Sequence, residues 1–299
     1  MRRQTERTYQ ERILRVLVHI QNHLDEAVSL EELAAIAHFS PYHFHRIFRG
    51  MVGESVMEHL RRLRLERAAN QLKLGNQPIT RIAFEAGYET HEAFTRAFGA
   101  MFGASPSHFR AKHRTLPFPQ APSEVHYQPD GRLEGYRDVQ EAEPPLEVRI
   151  VSFPTTQVAF MRHVGPYGEV GQTWSKLIAW AGPKRLLGRG AKMLGIVHDD
   201  PEVTPPDKVR YDVCLLVDES FRPDGEIGLQ EIGGEYAVAT HFGLYETLGA
   251  TYGRLCGQWL PRSGRELRSA PPFEVYRNSP KDTGSEELLT DIHLPLLMN

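Results

Sequence analysis

The sequence predicts two domains of different class, an all-α N-terminal domain and an α+β C-terminal domain. Three observations support this prediction. A helical pattern occurs twice in the N-terminal third, a proline-rich stretch follows, and a strand-and-helix pattern occurs twice in the C-terminal half. Internal duplication of this kind reveals structural units directly. With 299 residues the chain is long enough for two ordinary domains.

Composition excludes several classes of protein. No apolar run is long enough to cross a bilayer, so we expect no membrane partner. Cys214 and Cys256 are the two cysteines and cannot form a disulfide framework, which favours a reducing, cytoplasmic compartment. We expect no metal and no cofactor, because zinc-ligand spacing, a phosphate-binding loop and a dinucleotide-binding glycine triplet are all absent from the sequence.

Charge is distributed unevenly along the chain. Residues 1–116 hold 17 Lys and Arg against 12 Asp and Glu, whereas the remaining residues hold 18 against 26. A basic N-terminal part suits contact with phosphates, and the acidic remainder does not.

Caps and apolar spacing predict the first helices. Ser29-x-x-Glu32 indicates a capping box at the start of the second helix, and Ser40-Pro41 indicates the start of the third. The third helix should bury Phe44 and Phe48. Its opposite, polar face is expected to be exposed and carries Tyr42, His43, His45, Arg46 and Arg49.

A longer fourth helix is predicted from Ser55 to Leu74, with Gly75 as its stop. Its length of about 28 Å is close to the roughly 34 Å that separates successive major-groove faces of a duplex. A further helix should begin near Glu89-Thr90. Its exposed residues are expected to be His91, Glu92, Thr95 and Arg96.

The helical pattern is duplicated. Leu30, Leu33 and Ala34 precede Ile79, Ile82 and Ala83 by 49 residues each. A second series precedes its counterpart by 50 residues and pairs Phe44, Arg46, Phe48, Gly53 and Ser55 with Phe94, Arg96, Phe98, Gly103 and Ser105. Each copy has two short helices joined by a tight turn, which is the helix-turn-helix pattern. The duplication makes this signal much stronger than a single copy would.

These residues resemble the signature of AraC/XylS-type transcription regulators. The resemblance covers Ile13 to Arg114 and implies a seven-helix DNA-binding domain, which we place at 8–115. Its recognition helices would contain the two polar faces named above. We expect more specificity in the first, because Glu92 of the second repels phosphates unless it accepts from a cytosine amino group, and Gly99 carries no charge. We expect residues 1–116 to fold and bind DNA alone.

Residues 116–146 are predicted to be a linker, because six prolines punctuate a polar stretch that could lie partly on the second domain.

The C-terminal half is also duplicated. VAFMRHVGPYGEVGQTWSKL and AVATHFGLYETLGATYGRL align at an offset of 78, which pairs His163 with His241 and Tyr167 with Tyr245. Further on, at an offset of 79, Asp212 pairs with Asp291. Each copy is predicted to form a strand, a glycine turn, a helix and two strands. Two pseudo-symmetric strand-helix-strand-strand repeats would make one α+β domain. The paired histidines are expected to be structural.

This half resembles the GyrI-like effector-binding domain, through HVGPY, HFGLY, WLPRSG, PPFEVY and TDIHLPL. We place the domain at 147–298. The resemblance implies a cleft between the repeats that holds a hydrophobic, often cationic small molecule above a glutamate.

Glu274 is the candidate glutamate, and at the offset of 79 its counterpart is Gly195. A buried, unpaired carboxylate costs several kcal/mol, so its presence in one copy alone favours a counter-charge for a cationic ligand. A surface position for Glu274 is the alternative. The aromatic residues expected around the cleft are Tyr276, Tyr167, Trp174, Tyr245, Tyr252 and Trp259.

Together these features predict a transcription regulator that binds double-stranded DNA, senses a small molecule and acts on RNA polymerase. We expect no enzymatic activity. Two alternatives stay open for the C-terminal domain: a small-molecule hydrolase and a protein-binding, gyrase-inhibitor-like module.

Overall fold

The computed structural model describes residues 2–112, 119–139, 144–188, 192–280 and 283–298. The chain forms two compact units. The helical unit comprises Arg7–Phe44 and Phe48–Gln140, and the second unit comprises Met1–Glu6, His45–Ile47 and Glu141–Asn299. None of the helices in the described ranges is both long enough and apolar enough to cross a bilayer.

The N-terminal part contains seven helices within residues 2–112. Their bounds are α1 Arg2–Asn22, α2 Leu30–Ile36, α3 Pro41–Val52, α4 Val56–Leu74, α5 Ile79–Glu85, α6 His91–Phe102 and α7 Pro106–Lys112. Most apolar positions of the sequence pattern are buried, with Leu30 and Ile79 half-buried, and Phe94, Phe98 and Phe109 form the centre of the core around α5, α6 and α7. The prediction of a helical domain with two helix-turn-helix motifs is confirmed.

Caps explain where these helices begin and end. Ser55 and Glu58 form a complete capping box at the start of α4. At the start of α2 the side chain of Ser29 accepts a hydrogen bond from the Glu32 backbone, which is one half of the predicted box. Gly53 and Gly103 end α3 and α6 with φ values of 84° and 68°, a left-handed conformation that favours glycine.

Residues 119–139, which we call the strap, pack within the helical unit. Val125 is 1% exposed, and its carbonyl accepts a hydrogen bond of 2.7 Å from Arg62 on α4. The Tyr127 amide donates to the Glu66 carboxylate at 2.7 Å, and the Val139 amide donates to the Met51 carbonyl at 3.0 Å. Residues 119–139 of the predicted linker thus pack on the helical unit, whereas Pro144 accepts a hydrogen bond from Arg254 of the second unit. A segment without periodicity still folds when its backbone polar groups find buried partners.

The second unit is built on six antiparallel strands that close into a barrel in the order β1-β3-β2-β5-β6-β4. The strands are β1 Val148–Val164, β2 Met193–Val197, β3 Arg210–Val217, β4 Gly228–Phe242, β5 Phe273–Tyr276 and β6 Leu289–Pro295. Helix α8 spans Val170–Ala181 between β1 and β2. The prediction of an α+β domain is confirmed, and its sheet is antiparallel.

The helix between β4 and β5 is irregular. It begins as α9 Leu248–Gly253, continues as a π-helical segment Arg254–Trp259 and ends as α10 Leu260–Ser263. Pro261 has no amide hydrogen and its ring crowds the carbonyl four residues earlier, so a widened turn before it relieves the clash.

Side chains of the sheet alternate between two apolar clusters. Ala159, Val213 and Leu215 pack with Leu177 of α8, whereas Val158 and Cys214 pack on the other side with Phe273. This period of two places the residues of one strand alternately on the two faces of the sheet.

Candidate functional sites

Helix α6 presents a polar surface within the second helix-turn-helix motif. Phe94 and Phe98 are buried, and the predicted reading residues lie on the opposite side. His91, Glu92 and Arg96 are exposed and Thr95 is half-buried. The Thr90 hydroxyl accepts a hydrogen bond of 3.1 Å from the Ala93 amide and so fixes the start of the helix.

Helix α3 differs from its counterpart. His43, His45 and Arg46 are only 1%, 4% and 7% exposed, so the prediction that they face solvent is wrong. Arg49 is exposed and Tyr42 is half-buried. Helical periodicity identifies the polar face of a helix but does not show whether other parts of the chain cover it. Here the segment His45–Ile47 is part of the second compact unit, in which the His45 imidazole lies 2.9 Å from the Asp200 carboxylate and the Arg46 guanidinium lies over the Tyr252 ring.

The candidate carboxylate lies in the interior of the second unit. Glu274 is on β5 and is 2% exposed, which removes the alternative of a surface position. Its direct cross-strand partner on β2 is Gly195. The residue that the duplication pairs with Glu274 in sequence is therefore also its neighbour in the sheet.

Four tyrosine hydroxyls donate hydrogen bonds to this carboxylate. Oε2 accepts from Tyr276 at 2.8 Å, from Tyr211 at 3.1 Å and from Tyr167 at 3.3 Å. Oε1 accepts from Tyr252 at 3.1 Å. The buried carboxylate is therefore paired, and Tyr276 on the same strand makes the shortest of these hydrogen bonds.

Two further predicted aromatic residues surround the cluster. The rings of Trp174 and Tyr245 meet the ring of Tyr276 edge-on, with centroid distances of 5.8 and 5.3 Å. Trp259 lies in the π-helical segment, and the described residues show no hydrogen bond or ring contact between it and the Glu274 cluster. Of the predicted effector residues, the structure therefore brings all but Trp259 together.

Burial dominates the electrostatics of the cluster. It raises the pKa of Glu274, although hydrogen bonds from Tyr276 and Tyr252, the positive charge of Arg46 and the hydrogen bond from Tyr211 act in the opposite direction. Burial, together with the nearby carboxylate, also raises the pKa of Tyr252 well above its ordinary value of 10.0. The phenols thus stay protonated and serve as neutral hydrogen-bond donors.

Tyr211 is the functional residue that sequence reasoning missed. It is 0% exposed on β3, and its ring meets that of Tyr167 edge-on at 5.5 Å. The sequence search for aromatics was confined to the glycine turns, the helices and β5. At the offset of 79 the counterpart of Tyr211 is Thr290. The signal that could have revealed Tyr211 is this difference, a phenol in one copy of the pattern and not in the other.

The paired histidines hold the loops that lead to the cluster. His163 lies 3.1 Å from the Thr173 hydroxyl and 3.1 Å from the Pro166 carbonyl. His241 makes the matching contacts, at 2.8 Å to Thr251 and 3.0 Å to the Leu244 carbonyl. Each imidazole therefore joins a turn to the helix that follows it, as expected of structural residues.

Comparison with known proteins identifies both parts of the chain. The GyrI-like small molecule binding domain matches residues 146–297, and a helix-turn-helix domain matches residues 33–112. The probable transcriptional regulator YgiV of Escherichia coli K12 is 32% identical over 155 residues, which cover 50% of this chain and 96% of YgiV.

Two further similarities concern one part of the chain each. The transcriptional regulator Rob of Salmonella typhimurium LT2 is 34% identical over 95 residues, or 32% of this chain and 33% of Rob. The crystal structure of the EcmrR C-terminal domain is similar over 52% of this chain and 99% of that domain, with 22% identity and a TM-score of 0.42.

Proposed function

This chain belongs to the GyrI-like small molecule binding domain family and joins that domain to an AraC-type helix-turn-helix domain, and from this premise we propose that a hydrophobic, cationic effector bound at Glu274 controls its binding to DNA. It is thus a DNA-binding transcription regulator with a small-molecule-binding domain. RNA polymerase is the further partner that we propose, because regulators of transcription act on that enzyme.

One observation carries the proposal for the effector. The Glu274 carboxylate is buried and its four hydrogen-bond donors are neutral phenols. Such donors make burial of a carboxylate tolerable but add no positive charge. The charge of Arg46 also acts on Glu274, but burial still prevails and keeps the pKa of the carboxyl raised. A cationic ligand would add positive charge in a medium where electrostatic attraction is stronger than in water.

Aromatic rings support a cationic rather than an anionic ligand. Tyr167, Trp174, Tyr245 and Tyr276 are partly accessible and surround the buried carboxylate. The face of each ring can attract a cation, at about 0.5–2 kcal/mol for each favourable contact. The same surface would repel an anion.

Calorimetry with a matched ligand pair tests this proposal. Phenyltrimethylammonium has a permanent charge, and tert-butylbenzene is its neutral isostere. We expect Glu274→Gln to weaken binding of the cation at least tenfold, a loss of about 1.4 kcal/mol, and to leave binding of the isostere unchanged. Equal losses for the two ligands would refute the counter-charge role.

A matched control separates the charge from general damage to the second unit. Asp212 is another buried carboxylate, on β3, and Arg162 donates two hydrogen bonds to it at 2.8 and 2.9 Å. Asp212→Asn should not change the ratio of cation to isostere affinity.

We propose that DNA is read by the polar residues of both motifs. On α6 the support is exposure of Arg96, whose guanidinium can donate two hydrogen bonds to one guanine. On α3 the support is the matching position of Arg46 in the duplicated pattern, and contact with a base requires that this side chain become accessible. The full proposed set is Tyr42, His43, His45, Arg46, Arg49, His91, Glu92, Thr95 and Arg96.

We further propose that the second unit consists of two pseudo-symmetric repeats and is not an enzyme. The order strand, helix, strand, strand occurs in Val148–Val217 and again in Gly228–Pro295, which supports the repeats. Phenols with raised pKa values are poor general bases near neutral pH, which argues against hydrolysis. Hydrolysis of an ester added to the protein in the calorimeter would contradict the proposal that the second unit is not an enzyme.

A further inference from the structure

Tyr211 reaches Glu274 across an intervening strand. Tyr211 is on β3 and Glu274 is on β5, and β2 lies between these two strands and pairs with both. Two strand spacings are roughly 9.6 Å. A phenol that spans this distance must lie over the backbone of β2.

Register places all of the groups concerned on one face of the sheet. Gly195 is the direct partner of Glu274 on one side and of Val213 on the other. Tyr211 is two residues from Val213, so its side chain points to the same face. A side chain at position 195 would point to that face as well, directly beneath the phenol.

The space over Gly195 is already filled by Tyr211. A Cβ atom at position 195 would lie 1.6 Å from the Tyr211 hydroxyl oxygen and 2.2 Å from Cζ. Atoms of side chains do not approach so closely, so even alanine would force the phenol away from the carboxylate. The glycine is needed for room and not for an unusual backbone conformation, because its φ is not positive.

The aligned residues of the two halves differ in a complementary way. Position 195 is glycine where the other half has Glu274, and position 211 is tyrosine where the other half has Thr290. One half thus provides the carboxylate, and the other provides an empty position together with the phenol that fills it. Neither change alone would produce the hydrogen bond between Tyr211 and Glu274.

We propose that Gly195 and Tyr211 form a positioning pair for the effector site, in which the missing side chain at 195 lets Tyr211 lie across β2 and hold the Glu274 carboxylate in its binding orientation. The Tyr211 hydroxyl also contacts the Tyr276 hydroxyl, and both hydroxyls donate hydrogen bonds to Oε2 of Glu274. The link between this pair and effector binding rests on the proposed function of Glu274.

The main test needs no ligand. The pKa of Glu274 is measured by carbon-13 NMR on the full chain with labelled glutamate, and the signal is assigned by its loss in Glu274→Gln. Tyr211→Phe removes a donor to the carboxylate and should raise this pKa. Gly195→Ala should displace the phenol and shift the pKa in the same direction. An unchanged pKa in either variant would overturn the proposal.

Gly228→Ala is the matched control for a crowded glycine in a strand. A Cβ atom there would lie 2.3 Å from Cζ of Phe160, the cross-strand partner of Gly228 on β1. This variant should lose thermal stability but keep the pKa of Glu274. A shift as large as that of Gly195→Ala would mean that the pKa reports general disturbance of the sheet, and the assignment to Gly195 would fail.

A rescue variant covers the case in which Gly195→Ala does not fold. Tyr211→Thr introduces the residue of the other half and vacates the space over position 195. Gly195→Ala should lower Tm in the wild-type background and change it little in the Tyr211→Thr background. An equal fall in both backgrounds would show that Tyr211 is not what the new methyl group meets, and would overturn the proposal.

The proposed function and the positioning pair can fail separately. If Glu274→Gln leaves phenyltrimethylammonium binding unchanged, the counter-charge role fails, whereas the pKa shifts still decide the role of the pair. If the cation binds at Glu274, the pH midpoint of its affinity should move upward in Tyr211→Phe together with the carboxyl pKa. A midpoint that stays constant would refute the positioning role.

Discussion

A carboxylate in the interior of a protein can be balanced by charge or by hydrogen bonds, and this chain contains both solutions. Glu54, beside α4, is bonded to His59 and Arg62. Burial raises its pKa, but the hydrogen bonds from these cationic or basic groups outweigh burial and lower the value from 4.5 to about 2. Glu274 has phenol donors, and although the charge of Arg46 also acts on it, its pKa is raised because burial prevails. The two residues therefore respond to pH in opposite ways.

This contrast gives a prediction about stability. The contribution of Glu54 is present above its ordinary pKa of 4.5 and is lost as the pH falls toward about 2. The contribution of Glu274 is present below 4.5 and is lost as the pH rises through its raised pKa. Compared with Glu54→Gln, the wild type should therefore gain relative stability as the pH rises. Compared with Glu274→Gln, it should lose relative stability.

Thermal unfolding between about pH 2 and 8 measures both differences, and each variant serves as the control for the other. Two units can unfold separately, so each transition is assigned with a probe in its own unit. Parallel pH profiles for the two variants would contradict the assignment of opposite shifts.

The two equivalent arginines of the helix-turn-helix motifs give a second prediction at this scale. Arg96→Ala should weaken binding to a DNA site selected from a random pool by about 1–3 kcal/mol and relax discrimination at one base pair. Arg46→Ala should have a similar effect, although Arg46 is 7% exposed in this structure and must become accessible first. Band-shift titrations on selected and random DNA measure both effects. Equal losses on the two DNAs would indicate a phosphate contact only.

Among the elements, the strap changes the extent of the helical domain. Glu66 of α4 is 0% exposed, and its oxygens face Arg62, the His126 imidazole at 3.0 Å and the Tyr127 amide. Two of these three partners are in the strap. A fragment that ends before the strap would expose this buried group and would also lose the burial of Val125.

We therefore expect the fragment 1–139 to be more stable than 1–116 by at least about 2 kcal/mol, because burial of one valine alone is worth about 1.5–3 kcal/mol. Urea unfolding of both fragments measures the difference. Val125→Ala in the longer fragment is the control and should remove only part of it. Equal stability of the two fragments would show that the strap is a linker and does not stabilise the helical domain.

Physical reasons separate the elements that could be predicted from those that could not. Helices α1 to α6 follow from periodicity and caps, because local sequence decides which face of a helix is apolar. The six strands follow from the duplicated pattern, and α7 was implied only by the family resemblance. The strap has no period, and its order depends on partners such as Glu66 that are distant in sequence. The π-helical segment arises from the single residue Pro261 in a helix whose counterpart α8 is regular.

At the scale of the whole molecule, the resemblance to a known family and the duplication together pointed to the Glu274 cluster. The resemblance implied a glutamate and the duplication set Glu274 against Gly195, and the structure places Tyr167, Tyr252 and Tyr276 beside it. The duplication could not show that Tyr211 crosses a strand, because a diagonal contact depends on sheet register. Nor could it show that the polar face of α3 is buried, because burial is decided by tertiary structure.

The closed sheet has a consequence for how such a domain can be combined with other chains. β1 and β6 are both neighbours of β4, with Val151 and Pro295 opposite the same residue, Tyr236. The start and the end of the sheet are thus about 10 Å apart, two strand spacings. A domain whose entrance and exit are adjacent can be spliced into a loop of a host protein, or circularly permuted, with little distortion. The same geometry would allow the whole small-molecule-binding domain to be transferred to another protein as one unit.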